Sequence, residues 1–252
     1  MKRVLCTAML LLLLVAGASA QVVPQDASLR GEVFYPQGSA ADTASFVYRY
    51  RLPQFPAGQP QNEAVNRYFQ SYAADIVNAI TLETAGIPAE LPAAGGPAYY
   101  VNLDYRVTAE TQEHLSVLLI SQQFLGNTLV ENWVSAVFAL GGIYAGQPIS
   151  LSQAMGLEQE ETDQAGDYAS ELVYGLVWQI VRYEAGAMQK AYFPDLTEDD
   201  VRRAFTPQDD FYFDGDGNFV FFIQAGTIAG EVEGVLTYPF SMAELFSAIG
   251  QE

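Results

Sequence analysis

Asp209-Asp210-Phe211-Tyr212-Phe213-Asp214-Gly215-Asp216-Gly217-Asn218-Phe219-Val220-Phe221-Phe222-Ile223-Gln224 sets two runs of large β-forming residues on either side of a turn built from Asp, Gly and Asn. Aromatic and β-branched side chains suit a pleated, half-buried surface, and Asp and Gly supply the positive φ that a tight turn requires. The stretch therefore predicts an antiparallel hairpin. A further strand at residues 234–238 adds to it, and Tyr238-Pro239-Phe240-Ser241-Met242-Ala243-Glu244-Leu245 closes the block.

Working back from the hairpin, Thr197-Glu198-Asp199-Asp200 reads as a helix N-cap with carboxylates in the first turn, where the positive end of the helix dipole favours them. Pro194 separates it from a longer helix predicted over residues 168–190, with Leu172, Leu176, Val177, Ile180 and Val181 as its buried stripe. An acidic linker, residues 158–167, lies before that helix, and Ser150-Leu151 opens a short one ended by Gly156. Three strand-like runs come earlier, at 99–108, 114–124 and 129–140, joined closely enough for an antiparallel meander. A helix over 62–82 carries Val65, Tyr68, Phe69, Tyr72, Ile76 and Ile80 at helical spacing, and a strand at 45–55 alternates Phe46, Tyr48, Tyr50 and Leu52 against Val47, Arg49 and Arg51. The order predicts an α+β fold of two α+β halves, each an antiparallel sheet packed against one main helix. The halves are placed at 45–157 and 158–252, after a flexible N-terminal segment, 21–44.

Residues 1–20 read as a signal peptide. Lys2 and Arg3 precede an apolar run from Met9 to Val15, and Ala18-Ser19-Ala20 offers small residues for cleavage before Gln21. The run is too short for a bilayer core of about 30 Å, and the remaining chain has no second long apolar segment, so a secreted or extracytoplasmic protein that does not span the membrane is expected. Cleavage would take away Cys6, the sole cysteine, and leave nine basic residues against 30 acidic ones, a net of −21. Such a charge argues against nucleic acid and anionic membranes as partners and attracts basic ones.

The C-terminal block resembles the PdaC/RsiV-like extracytoplasmic domain family. The resemblance rests on Phe205, Asp210-Phe211-Tyr212, Asp216-Gly217 and the 219–224 strand, and continues through Ile228-Ala229, Gly234 and Pro239-Phe240-Ser241 to Glu244-Leu245. Gly146-Gln147-Pro148-Ile149-Ser150-Leu151 looks like the family's turn before its short helix, and the 47–55 strand followed by Val65-Asn66 has the order of the PdaC-type N-terminal half. The resemblance implies a C-terminal domain of unknown function, found in ectodomains of anti-sigma factors that recognise lysozyme and in front of peptidoglycan deacetylases. The chain departs from both settings. Neither a sigma-factor-binding segment nor a deacetylase domain is expected from these residues, and the family's Gly-Ala-His type motif is absent from the middle of the sequence.

No cofactor and no catalytic set is expected. Asp214-Gly215-Asp216-Gly217-Asn218 spaces oxygens as calcium loops do, but Phe219 stands where that loop needs Gly and Ala225 where it needs Glu, so a turn is the better reading. His114, the single histidine, opens an apolar strand and suits an edge position better than a triad base. The acidic groups Glu158, Glu160, Glu161 and Asp163, and Asp195, Glu198, Asp199 and Asp200, lack the facing geometry of a glycosidase pair. Asp195, Glu198, Asp199 and Asp200 are instead the candidates for docking a basic protein such as lysozyme. Tyr99 is the candidate for a sugar-stacking ring, because Tyr99 and Tyr100 cannot both face inward on one strand. The expected function is a secreted, non-catalytic binding domain, with peptidoglycan as the alternative ligand and an enzyme of unrecognised type as the third reading.

Overall fold

The computed structural model describes residues 28–84, 99–124, 129–157 and 163–249. The signal-peptide reading and Glu158, Glu160 and Glu161 of the linker fall outside them. The fold is α+β, with a five-stranded sheet in the order β1 (Ser28–Tyr35), β2 (Phe46–Pro53), β3 (Tyr99–Glu110), β4 (His114–Phe124) and β5 (Leu129–Ala139). A three-stranded sheet holds β6 (Phe211–Phe213), β7 (Phe219–Ile223) and β8 (Leu236–Phe240). The helices are α1 (Pro60–Thr84), α2 (Leu151–Ala154), α3 (Asp163–Gly186), α4 (Glu198–Ala204) and α5 (Met242–Ile249).

The hairpin forms as its sequence predicts: Phe211, Tyr212 and Phe213 pair with Phe221, Val220 and Phe219, and β8 adds to the other side of β7. Three differences from the sequence reading stand out. Ser28–Tyr35, read as part of a flexible segment, is strand β1, paired antiparallel with β2. The run after β8, read only as the close of the block, folds into α5. The larger sheet is mixed, because α1 carries the chain across so that β2 and β3 run parallel, while its other pairings are antiparallel.

Register assigns the faces. Leu52, Leu103, Val117, Leu119 and Phe138 meet Val65, Phe69 and Ala73 of α1 in one core. On the opposite face, Val137 and Ala139 join a second core with the smaller sheet and α3, whose buried stripe runs Ala169, Val173, Val177 and Val181. That stripe lies one residue off much of the predicted one. Leu151, Ala154 and Met155 belong to the second core, so it draws on residues from both sides of position 158. Polar contacts bind the two sheets. Buried Ser116 accepts from the Phe213 backbone N–H at 3.0 Å and from the Thr108 hydroxyl at 2.9 Å. The Gln224 amide accepts from Trp133 N–H at 3.0 Å and donates to Trp133 C=O at 2.7 Å, pairing with β5 as a strand would.

Candidate functional site

Two loops meet at one end of the second core. The first, residues 187–197, follows α3; the second, residues 224–235, joins β7 to β8. Phe193 N–H donates to Ile228 C=O at 3.0 Å and Gly230 N–H to Ala191 C=O at 3.4 Å, while Ala191 N–H reaches the Glu233 carboxylate at 3.2 Å. Beneath them the Tyr192 hydroxyl donates to Glu184 and lies 3.3 Å from the Tyr238 hydroxyl. Lys190 sits 3.1 Å from the same Glu184 carboxylate and 5.6 Å from the centre of the Tyr238 ring. Burial raises the pKa of Tyr192, with the hydrogen bond to Glu184 adding to it, and burial pushes Tyr238 up to about 12. Both phenols therefore stay protonated at physiological pH and act as fixed hydrogen-bonding posts.

What this support presents to solvent is unusual for a loop. Met188 and Val232 are each 91% exposed, Tyr183 is 70% exposed and Phe193 43%. Around them stand exposed Glu231, half-buried Glu233 and exposed Asp195. Met188 also caps α3 in the left-handed region at φ 54°. Gln189 N–H returns to Glu184 C=O at 3.0 Å and Met188 N–H to Ala185 C=O at 3.2 Å, a Schellman ending whose left-handed position glycine usually fills. Asp195 has φ 61°, a conformation that Asp tolerates better than most residues. A large apolar residue that is both backbone-strained and solvated gains nothing for the folded chain, and such positions cluster at sites of function.

The predicted site residues separate into two groups. Glu198 and Asp200 serve α4: Asp200 and Thr197 form a reciprocal capping box, Glu198 holds Arg202 at 2.8 Å, and Asp200 holds Arg203 at 2.6 Å. Hydrogen bonds from Thr197 hold the half-buried Asp200 carboxyl below the usual carboxylate range. Asp195 and Asp199 are exposed, and among the described residues neither makes an ion pair. Only Asp195 lies on the loop junction itself. The sequence reading missed Met188, Phe193 and Val232.

Tyr99 is half-buried at the start of β3, opposite Phe46 on the side facing α1. Its neighbour Tyr100 occupies the other face and stacks on Phe124, ring centres 5.5 Å apart. That face of β1–β3 carries exposed Arg30, Arg49 and Arg106 with half-buried Arg51, four of the nine cations beyond residue 20, and Arg106 lies near Tyr212 of β6. Arg49 pairs with Glu32 at 3.0 Å and Arg51 with Asp104 at 2.6 Å.

Asp214 spends its oxygens inside the hairpin turn, accepting from Asp216 N–H and Asn218 N–H at 2.9 Å each and from the Asn218 amide at 3.0 Å. Gly217 supplies the positive φ, 81°. His114 stacks on Phe213 at 5.1 Å between ring centres. Among the described residues no group of three His, Cys, Asp or Glu side chains is placed to hold a metal ion, and no helix is long and apolar enough to cross a membrane.

No protein-family model matches the chain, and no curated protein matches it. Solved structures do superpose on it. A DUF3298 family member from Bacteroides fragilis gives a TM-score of 0.49 at 13% identity, covering 87% of this chain and 95% of that one. A DUF3298 family protein from Pseudomonas aeruginosa gives 0.47 at 15% identity, covering 87% and 91%. At that depth the residue roles of one chain do not transfer to another.

Proposed function

We propose that the protein is an extracytoplasmic, non-catalytic binding module for a basic protein, and that the junction of loops 187–197 and 224–235 is its contact surface. The observation that carries this reading is Met188 and Val232, both 91% exposed on hydrogen-bonded loops and set among Glu231, Glu233 and Asp195. Apolar anchors ringed by charge are the anatomy of a protein interface: the anchors supply affinity on desolvation, and the rim supplies orientation and association rate. A net charge of −21 beyond residue 20 selects a cationic partner, and lysozyme is the partner class suggested by the sequence resemblance.

Calorimetric titration of residues 21–252 with hen lysozyme, at low salt and at about 0.15 M, tests the reading. Binding that weakens with salt, and weakens again in a Val232→Ser variant, supports it. Absence of binding at low salt rejects lysozyme as the partner, and binding unchanged by Val232→Ser rejects the surface.

A second reading has its own observation. The Tyr100–Phe124 stack on the open half of the sheet, with Arg49 the next cation along that face, suits a ring-bearing anionic glycan such as a peptidoglycan strand. Co-sedimentation with purified peptidoglycan that is lost in Tyr100→Ala would favour it over the first. Failure to co-sediment removes it.

A further inference from the structure

The five-stranded sheet has two edges, and the chain treats them differently. The outer edge of β5 is closed. Gln224 occupies the backbone of Trp133, Ile149 N–H donates to Val137 C=O at 2.7 Å, and Ala139 N–H donates to Gln147 C=O at 3.1 Å. Among the described residues, no strand pairs with the outer edge of β1. An open edge is a template for another strand, and proteins that leave one open commonly guard it with charge. β1 carries two charges, Arg30 and Glu32, both exposed.

Backbone hydrogen bonds fix which residues look outward. Tyr99 N–H donates to Ser45 C=O at 3.0 Å in the parallel β2/β3 pairing, so Phe46, Tyr48, Tyr50 and Leu52 turn their backbone groups toward β1. Their partners are Tyr35, Val33, Gly31 and Leu29. The alternate residues Ser28, Arg30, Glu32 and Phe34 therefore direct their backbone groups to the open side.

A second copy of β1 can dock there antiparallel, about a two-fold axis, only in registers that oppose these outward residues to one another. Centring the axis on Arg30 sets arginine against arginine, and centring it on Glu32 sets glutamate against glutamate. Centring it on Gly31 sets Arg30 of each copy against Glu32 of the other, twice, and on the opposite face sets Leu29 against Val33, twice. Opposite charges directly across a strand pair stabilise it and like charges oppose it, so of these three registers the charges of the strand favour the one centred on Gly31.

Gly31 suits the axis. The Tyr50 ring lies over it so closely that an added Cβ would fall 2.2 Å from the Tyr50 hydroxyl, so any side chain there would have to displace that ring. The surface continues past the strand into an open, mainly apolar groove of about 360 Å³ between β1 and α1, where Leu29, Tyr50, Ala73 and Val77 are joined by the polar Gln70 and Asn78. We infer that β1 is a self-complementary edge through which two copies of this chain pair antiparallel, joining their sheets into one of ten strands. The charges on this edge thus guard it against other strands while matching it to its own, the isologous arrangement that two-fold symmetry demands.

Sedimentation velocity on the protein over a range of concentrations reads the association, with Arg30→Glu and Glu32→Arg as probes. The wild type is expected to dimerise, and each variant alone to bind itself at least about tenfold more weakly, because both cross-strand pairs become like-charged. The first variant presents two glutamates on this edge and the second two arginines. Mixed one to one, they therefore oppose opposite charges at both cross-strand pairs, and the heterodimer returns. Hydrogen exchange on the wild type gives a readout free of substitutions: the outward amides of Arg30, Glu32 and Phe34 slow as concentration rises. A wild type that stays monomeric throughout overturns the inference. So does a mixture that associates no better than either variant alone, or protection that builds at another strand.

Discussion

At the scale of the residue, Met188 sets stability against function. Its φ of 54° costs an L side chain about 1 kcal/mol that glycine would not incur, and at 91% exposure the side chain recovers almost nothing by burial. Met188→Gly should therefore raise the stability of the free protein by about 0.5–1 kcal/mol in denaturant melts while weakening the proposed partner complex several-fold. Equal loss of both would mean that the side chain is structural. His114 gives a second residue-scale prediction. Burial against Phe213 lowers its pKa, with Glu113 opposing by less. The fold thus prefers the neutral imidazole, so this contribution to stability is complete above the ordinary histidine value of about 6.5 and is lost as pH falls through it. His114→Phe should keep the ring contact and remove that loss, so the stability of the wild type relative to the variant declines from pH 8 to pH 5. Parallel curves would exclude His114 as the source.

At the scale of the element, Gly146 shows two constraints meeting at one position. Its φ is 80°, and a Cβ there would lie 2.6 Å from Ala64 and 3.0 Å from the backbone of Gln61 in the first turns of α1. Gly146→Ala should cost about 2–3 kcal/mol, measured by denaturant unfolding, since neither the backbone nor the helix can give way independently. The turn motif was visible in the sequence, but its docking against α1 was not. The same divide runs through the other elements. The β6–β7 hairpin and the α4 capping box were legible because their causes lie within a few residues. β1 was not, because Gly31 interrupts the apolar alternation of Leu29, Val33 and Tyr35, and Tyr50 fills that gap from another strand. α5 carried a local signal that went unused: Ser241 and Glu244 form a capping box, with Ser241 N–H to the Glu244 carboxylate at 2.7 Å and Glu244 N–H to the Ser241 hydroxyl at 3.2 Å. The loop junction failed for a sharper reason. Extending α3 to residue 190 places Met188 inside a helix, whereas ending at Gly186 turns it out to solvent, and helix ends are where periodicity says least.

At the scale of the whole molecule, charge makes opposite demands on the fold and on the complex. With 30 acidic residues against nine basic ones beyond residue 20, the folded chain repels itself, and four of those nine cations are gathered on one half of one sheet face. The acidic loop junction lies at one end of the second core, with Lys190 already committed to Glu184. Added salt screens exposed charges separated by more than about 10 Å at 0.1 M, which covers most pairs on a surface of this size. Self-repulsion is long-ranged and unpaired, so screening it should stabilise the free protein, whereas the few surface ion pairs that salt weakens are worth little each. Attraction to a cationic partner is lost by the same screening. Raising sodium chloride from low concentration to about 0.15 M should thus raise the melting temperature of the free protein and lower its affinity for a basic partner. Non-ionic osmolytes, which favour burial without screening, should raise the melting temperature and, because the anchors are buried on binding, raise the affinity instead of lowering it. Thermal melts and calorimetry on one preparation separate the effects, and a melting temperature that falls with salt would show that paired charges, not the excess of negative ones, govern the stability of this fold.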